Sequence, residues 1–308
     1  MTVRKLLEIY ERRRLVQLRK GKVIERSIRA ALADVLDLDP VDLTRRHIAE
    51  AVDVVADRAP IHGNRTLAYL KAFFAWSRGR GYIECNPAEG IAKPTREHAR
   101  ERTPSLSEVA EIWQAAGELG YPFGPIVRLL VLTAARRDEV GAIKPEEIEA
   151  ASDTGTGVWT LPASRSKNGR AIRAPLSASS MTIIDEALRA RPAGAAYIFT
   201  TLGDRPVSGW SRAKRRLDAC IAARRLKDKR IPIEPWRFHD LRRAFATQAC
   251  DHLKVDPALA DRCLNHVGAS TTSTVARVYG RSELFDQRRD VLNRWAELVK
   301  QAIDGAAV

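Results

Sequence analysis

The sequence predicts a mostly α protein with a small antiparallel β-sheet, divided into two domains. Three observations carry that expectation. Apolar residues recur at helical spacing through residues 1–90 and again from Ser208 onward. Two strand-like runs, VWTLP (158–162) and AIRAPL (171–176), flank the turn pair Asn168-Gly169. Residues 91–104, IAKPTREHARERTP, are charged, bracketed by prolines and without an apolar period, which reads as an exposed linker. A chain of 308 residues is long enough for two domains that each bury a core.

In the first domain, residues 1–90, a basic helix is expected over 3–20 with Val3, Leu6, Leu7 and Tyr10 on one side. Residues 23–36 follow, with Ile24, Ile28, Ala31, Leu32 and Val35 at helical spacing. DLDPVDLT breaks the pattern, and Thr44 then caps a helix carrying Ile48, Val52 and Val55. HGN at 62–64 reads as a turn. The helix after it has Leu67, Leu70, Phe73 and Phe74 on its apolar side, and Gly79 or Gly81 stops it. The second domain, 105–308, opens with Ser105 and Glu108 at capping-box spacing. An apolar helix over 125–135 comes next, then the hairpin, then YIFTT (197–201) as a further short strand. The last helix, in SELFDQRRDVLNRWAELVK, presents Leu284, Val291, Leu292, Trp295 and Leu298. That stripe suits packing on its own domain or, in part, on a neighbouring protomer.

Composition narrows the partner. Formal net charge is +14. Residues 1–103 hold 21 Lys and Arg against 14 Asp and Glu, and residues 104–308 hold 31 against 24, so each part carries +7. An excess of this size favours a polyanion, and nucleic acid is the commonest. No apolar run approaches the ~20 residues of a membrane span. The N-terminus, MTVRKLLEIYERRR, lacks the apolar stretch of a signal peptide. Cys85, Cys220, Cys250 and Cys263 are scattered like reduced cytosolic thiols, so a cytoplasmic protein with no membrane association is expected.

Five sites carry candidate chemistry, and each alone has a plain structural reading. In TAARRDEV (133–140), Arg136 and Glu139 lie three apart, as in a salt-bridged helix end. SKNGR (166–170) presents Lys167 and Arg170 at a hairpin tip, where a solvated lysine is ordinary. In RFHDLRRAFATQ (237–248), His239 and Arg242 share a helix face beside a helix start, a place that also suits a phosphate. CLNHVGAS (263–270) puts His266 at a helix end, and Tyr279 in ARVYGRSE (276–283) alone reads as a rim tyrosine.

In order, the set Arg, Lys, His-x-x-Arg, His, Tyr resembles the tyrosine recombinases, the phage integrase family. T-A-A-R-R-D-E matches the family's T-G-x-R-x-x-E, S-K-N-G-R its hairpin lysine, H-D-L-R-R its H-x-L-R, and L-N-H its L-G-H, with Tyr279 lying 13 positions after His266. The resemblance covers roughly 104–290, and residues 1–90 resemble the family's helical core-site DNA-binding domain in kind. It implies an N-terminal helical core-site-binding domain joined to a mixed α+β tyrosine-recombinase catalytic domain. It implies that Tyr279 attacks a phosphodiester and holds the 3′-phosphate covalently, while Arg136 and Arg242 grip the non-bridging oxygens. Lys167 would protonate the leaving 5′-oxygen, and His239 and His266 would assist at the phosphate and the tyrosine. Glu139 would orient Arg136. Ala134 stands where the family has glycine, a mild change at a packing position, and Asn265 replaces the glycine beside His266.

The implied partner is double-stranded DNA bearing recombination sites, with a homotetramer on DNA and a monomer when free. Accessory DNA-bending or directionality factors are implied too. Lys71, Arg78, Arg80 and Arg170 are expected DNA contacts outside the site. No P-loop or acidic metal-binding cluster stands out, so no cofactor and no metal are expected. Cys250, His252, Cys263 and His266 have an irregular spacing for zinc. Two other functions use the same residues: a type IB topoisomerase-like relaxing enzyme, and a site-specific DNA-binding regulator that does not cut.

Overall fold

The structure, a computed structural model, describes residues 1–98, 100–151, 154–166, 169–265 and 284–305. It divides into two units, Met1–Arg100 and Glu101–Val308, each with its own hydrophobic core. The first unit is built from α1 (Val3–Arg13), α2 (Gly21–Ala31), α3 (Arg45–Arg58) and α4 (Pro60–Gly79). The helix expected to reach residue 20 stops at Arg13. A short 3₁₀ turn, Leu15–Gln17, follows before α2 restarts the chain at Gly21. A Cβ on Gly21 would lie 2.1 Å from the Leu15 carbonyl oxygen, so only glycine lets this corner close.

Thr44 caps α3 as its sequence implies. Its hydroxyl accepts from the His47 amide at 3.3 Å, and His47 Nδ1 accepts from the Thr44 amide at 3.2 Å. HGN at 62–64 is not a turn: α4 begins at Pro60 and runs through it. Pro60 is suited to a first helical position. Gly63 serves packing instead, since a Cβ there would sit 2.6 Å from the Ala56 Cβ on α3. The core of this unit is Leu6, Leu7, Ile28, Ile48, Leu70, Phe73 and Phe74, all buried. Full burial of each such side chain contributes about 1.5–3 kcal/mol.

Part of the stretch expected as a linker lies on this first unit. Asn64 Nδ2 donates to the Thr95 carbonyl at 2.7 Å and to Glu97 at 2.9 Å, and its Oδ1 accepts from the Thr95 amide at 3.2 Å. Lys71 Nζ donates to the Ile91 carbonyl at 2.7 Å.

The second unit contains α5 (Leu106–Leu119), α6 (Phe123–Thr133), α7 (Arg137–Val140) and α8 (Ala178–Ala190). It continues with α9 (Trp210–Lys227), α10 (Asp240–Leu253), α11 (Pro257–Cys263) and α12 (Phe285–Gly305). A three-stranded antiparallel sheet, β1 (Ile148–Ala150), β2 (Gly157–Leu161) and β3 (Ile172–Leu176), lies in the order β1-β2-β3. Trp159 faces Ile148 across one ladder, and Leu161 faces Ile172 across the other. Ser105 and Glu108 close the expected capping box at 3.2 and 2.8 Å.

One expectation fails here. YIFTT is not a strand. Its backbone is held by single bonds, Ile198 N to the Ile143 carbonyl at 2.9 Å and the Tyr121 hydroxyl to the Ile198 carbonyl at 3.0 Å, rather than by a ladder. Of the apolar stripe on the last helix, the middle packs within its own unit. Val291, Leu292 and Trp295 are buried, Trp295 Nε1 donates to the Val131 carbonyl at 2.8 Å, and its ring meets Phe245 edge-on at 5.4 Å. Among the described residues no helix is long and apolar enough to cross a membrane.

Candidate active site

The site starts at the end of α6. Thr133 closes the helix, with its hydroxyl donating to the Leu129 carbonyl at 2.6 Å, and Ala134 then turns left-handed at φ 48°. The glycine that the resemblance expects at 134 is therefore a matter of backbone conformation, not of packing. Alanine holds the same turn at a cost of about 1–2 kcal/mol. Asn265 is also left-handed, at φ 51°. Asparagine tolerates that region because its short amide bonds locally, so both departures from the family pattern keep the glycine-like conformation.

The turn at Ala134 delivers Arg136 to the start of α7. Glu139, 7% exposed, holds it twice: Oε1 accepts from Arg136 Nη1 at 3.0 Å, and Oε2 from its backbone amide at 3.2 Å. Arg137 is held differently, bonding Asp138 at 3.0 Å and lying 5.0 Å from the centre of the Trp210 ring. The spacing R-x-x-E thus selects Arg136.

Arg242 is 3% exposed and ties three segments together. One Nη donates to the Ala134 carbonyl at the α6–α7 turn, and the other to the Leu264 carbonyl, just past α11, at 2.6 Å. Burial, and the nearby positive Arg136, pull its pKa down to about 10, against the opposing pull of Glu139. It stays charged at neutral pH. His239 stands at the N-cap of α10, exposed, one turn before Arg242.

Arg136, Arg242 and His239 line one open cavity of about 570 Å³, with Trp210, Trp236, Phe238, Lys214 and Arg137. Its far wall is a chain of edge-on aromatic contacts. Trp210 meets Phe238 at 5.8 Å, and Phe238 meets Trp236 at 5.8 Å. The Trp210 ring also lies against Gly141, where an added Cβ would come within 2.6 Å of Trp210 Cζ2. The aromatic chain therefore links the end of α7 to the segment bearing His239.

Lys167, His266 and Tyr279 lie outside the described residues. The described chain leading to the first two is anchored. Arg165, two residues before Lys167, pairs with the buried Glu147 and bonds the Ala142 carbonyl behind α7. Glu147 also accepts from Trp159 Nε1 at 3.1 Å. Leu264 holds Arg242, and Asn265 Oδ1 accepts from the buried Arg288 of α12 at 3.3 Å. Sequence reasoning missed Arg165, Glu147, Trp210 and Arg288. Only Arg165 had a local signal, its place beside the hairpin lysine.

Of the contacts expected outside the site, Lys71 is bonded to Ile91 and Arg78 is paired with Glu89 at 2.9 Å, while Arg80 and Arg170 are exposed. Among the described residues no three His, Cys, Asp or Glu side chains gather as a metal site. Cys263 is buried, and burial pushes its thiol up to about 12.

Known proteins align with this arrangement. The profile of the phage integrase family matches residues 105–280. A prophage integrase, IntA, of Escherichia coli K12 is 23% identical over 292 residues, covering 92% of this chain and 65% of that protein. A shufflon-specific DNA recombinase of Escherichia coli is 30% identical over 217 residues, covering 69% of this chain and 50% of that protein. The chain thus spans half to just under two thirds of these relatives. Lambda integrase, solved as a tetramer bound to a Holliday junction, superposes with a TM-score of 0.67 at 18% identity, covering 89% of this chain and 80% of that one. The Tn1549 transposon integrase, solved with circular intermediate DNA, gives 0.64 at 12% identity, covering 92% and 99%. At such identities these two likenesses speak for the fold.

Proposed function

This chain belongs to the phage integrase family, and from that premise we propose that it is a site-specific DNA recombinase that breaks and rejoins strands through a tyrosine. The observation that carries the reading is the pair Arg136 and Arg242, two guanidinium groups in one cavity, one held by Glu139 and the other by two backbone carbonyls. Held guanidinium groups stabilise the charge that builds on the non-bridging oxygens as phosphorus becomes five-coordinate. Their positions need no reorganisation at the moment of reaction, because the carboxylate and the carbonyls already fix them.

Tyr279 Oη attacks the phosphorus, and the bond from phosphorus to the 5′-oxygen breaks as the new phosphotyrosyl bond forms. The leaving 5′-oxygen takes a proton from Lys167, and the tyrosine proton passes to His239 or His266. The covalent 3′-phosphotyrosyl ester keeps the bond energy, so an incoming 5′-hydroxyl reverses the step and rejoins the strand. Double-stranded DNA is the substrate, a tetramer on paired sites is the working assembly, and the cytoplasm is its place of action. The N-terminal unit serves as the core-site-binding domain.

A suicide DNA site, nicked so that the cut strand cannot rejoin, tests this. The wild-type protein is expected to migrate with the labelled strand on a denaturing gel, and a Tyr279→Phe protein is not. Binding without any adduct by the wild type would favour a non-cutting regulator. Relaxation of supercoils with no strand exchange between sites would favour a topoisomerase.

A further inference from the structure

The first unit holds a second cavity, a groove of about 450 Å³ where the end of α1, the following turn and α2 meet the side of α4. Its wall includes Tyr10, Tyr69 and Trp76, and its rim includes Arg13, Arg14 and Arg80. Tyr10 and Trp76 touch, with ring centres 5.0 Å apart. No carboxylate lines the groove.

Some arginines of this unit are paired with carboxylates: Arg4 with Asp37 at 2.9 Å, Arg46 with Glu50 at 2.7 Å and Arg78 with Glu89 at 2.9 Å. Arg13, Arg14 and Arg80 are exposed and have no carboxylate partner among the described residues. Three like charges around one groove repel one another, and the groove lining holds no carboxylate to offset that cost. A polyanion would. Guanidinium forks match phosphate oxygens in pairs, and the aromatic wall gives an apolar face for the sugars between phosphates.

We infer that this groove seats the sugar-phosphate backbone of one DNA strand, with Arg13, Arg14 and Arg80 each neutralising a phosphate. The inference rests on the reading of the chain as a DNA recombinase and sharpens it. It moves the contact surface of this unit away from Lys71 and Arg78, which are spent on Ile91 and Glu89. Contacts of this kind fix position and affinity while carrying no base sequence directly. The groove therefore governs how tightly the protein holds any duplex and leaves the chemical step alone.

The test uses the full-length protein with all three arginines changed to glutamine, beside a Lys71→Gln, Arg78→Gln control. Affinity for a duplex is measured against salt. The slope of log affinity on log salt is expected to fall by about 2.7 in magnitude, three phosphates at ~0.9 each, in the triple variant and to stay unchanged in the control. Replacing the three with lysine, which keeps the charge, is expected to retain most of the slope, so a loss seen equally with glutamine and lysine overturns the proposal. An unchanged slope in the glutamine variant also overturns it. So does an unchanged slope accompanied by lost binding of an acidic peptide, which would make the groove a protein-docking site. Absence of adduct in the wild type would defeat the recombinase reading, while the salt comparison would still decide the groove.

Discussion

Two sets of arginines in this molecule are held in opposite ways. Arg242 is 3% exposed, clipped to two carbonyls and depressed in pKa to about 10. Arg13, Arg14 and Arg80 are exposed and unmatched by any carboxylate among the described residues. The first arrangement costs desolvation and gains position; the second keeps hydration and gains reach. Chemistry at phosphorus requires the first, because a cation must already be in place when charge develops. Grip on a duplex requires the second, because its energy comes from displacing counterions along the backbone. The contrast predicts that changes in the two sets separate cutting from holding.

The largest effect is expected at Arg242. On the proposed function, Arg242→Ala removes a transition-state contact, and it leaves the Ala134 and Leu264 carbonyls without these donors. Cleavage is expected to fall on the order of 10³-fold, with a loss of about 2–4 kcal/mol in unfolding free energy by denaturant titration. Single-turnover adduct formation, normalised to folded protein, separates the two losses.

Arg242→Lys gives the contrast a pH axis. Burial lowers the folded pKa of a base, so its charge is lost as pH rises through that lowered value. For arginine the value is about 10, and wild-type cleavage keeps the charge across the neutral range. A lysine starts near 10.4 and, with the same penalty, would lose its proton at roughly pH 8. The variant's adduct rate is therefore expected to fall between about pH 7 and 9 while wild type holds. Parallel profiles would break the claim that burial sets the charge at this position.

Glu139→Gln keeps shape but weakens the hold on Arg136. A loss of about 10–100-fold in cleavage rate is expected, with DNA affinity unchanged. Equal losses in rate and affinity would place Arg136 in general grip rather than in the reaction. A smaller effect is expected from Ala134→Val. A β-branched residue at φ 48°, in a fully buried turn, is expected to lower unfolding free energy by about 3 kcal/mol. Smallest is Trp210→Leu, expected to slow cleavage a few-fold through the lost contact with Gly141. Trp210→Phe is expected to restore most of the rate, which a purely volumetric role of the tryptophan would not require.

The elements with local signals were legible in the sequence. Ser105 and Glu108 announce a helix start, Thr44 another, and VWTLP and AIRAPL flank a turn. R-x-x-E and H-x-x-R are ordinary alone, and it is the ordered set resembling the family that let Arg136, Glu139, His239 and Arg242 be named before any fold was known. What stayed hidden depends on distant contacts. HGN looks like a turn until Gly63 is seen against Ala56 on α3. YIFTT has strand residues, but its bonds go to Ile143 and Tyr121 rather than to a neighbouring strand. Glu147 and Arg165 lie 18 positions apart and pair in space. Ala134 reads as a packing position until its left-handed backbone is seen.

The central claim is that a tyrosine joins Arg136 and Arg242 in covalent chemistry on DNA, and peptide mapping of the trapped complex tests it most directly. After protease and nuclease digestion, mass spectrometry is expected to find the peptide containing Tyr279 carrying a 3′-linked nucleotide. The nucleotide on any other residue, or an undiminished adduct from Tyr279→Phe protein, would contradict the account.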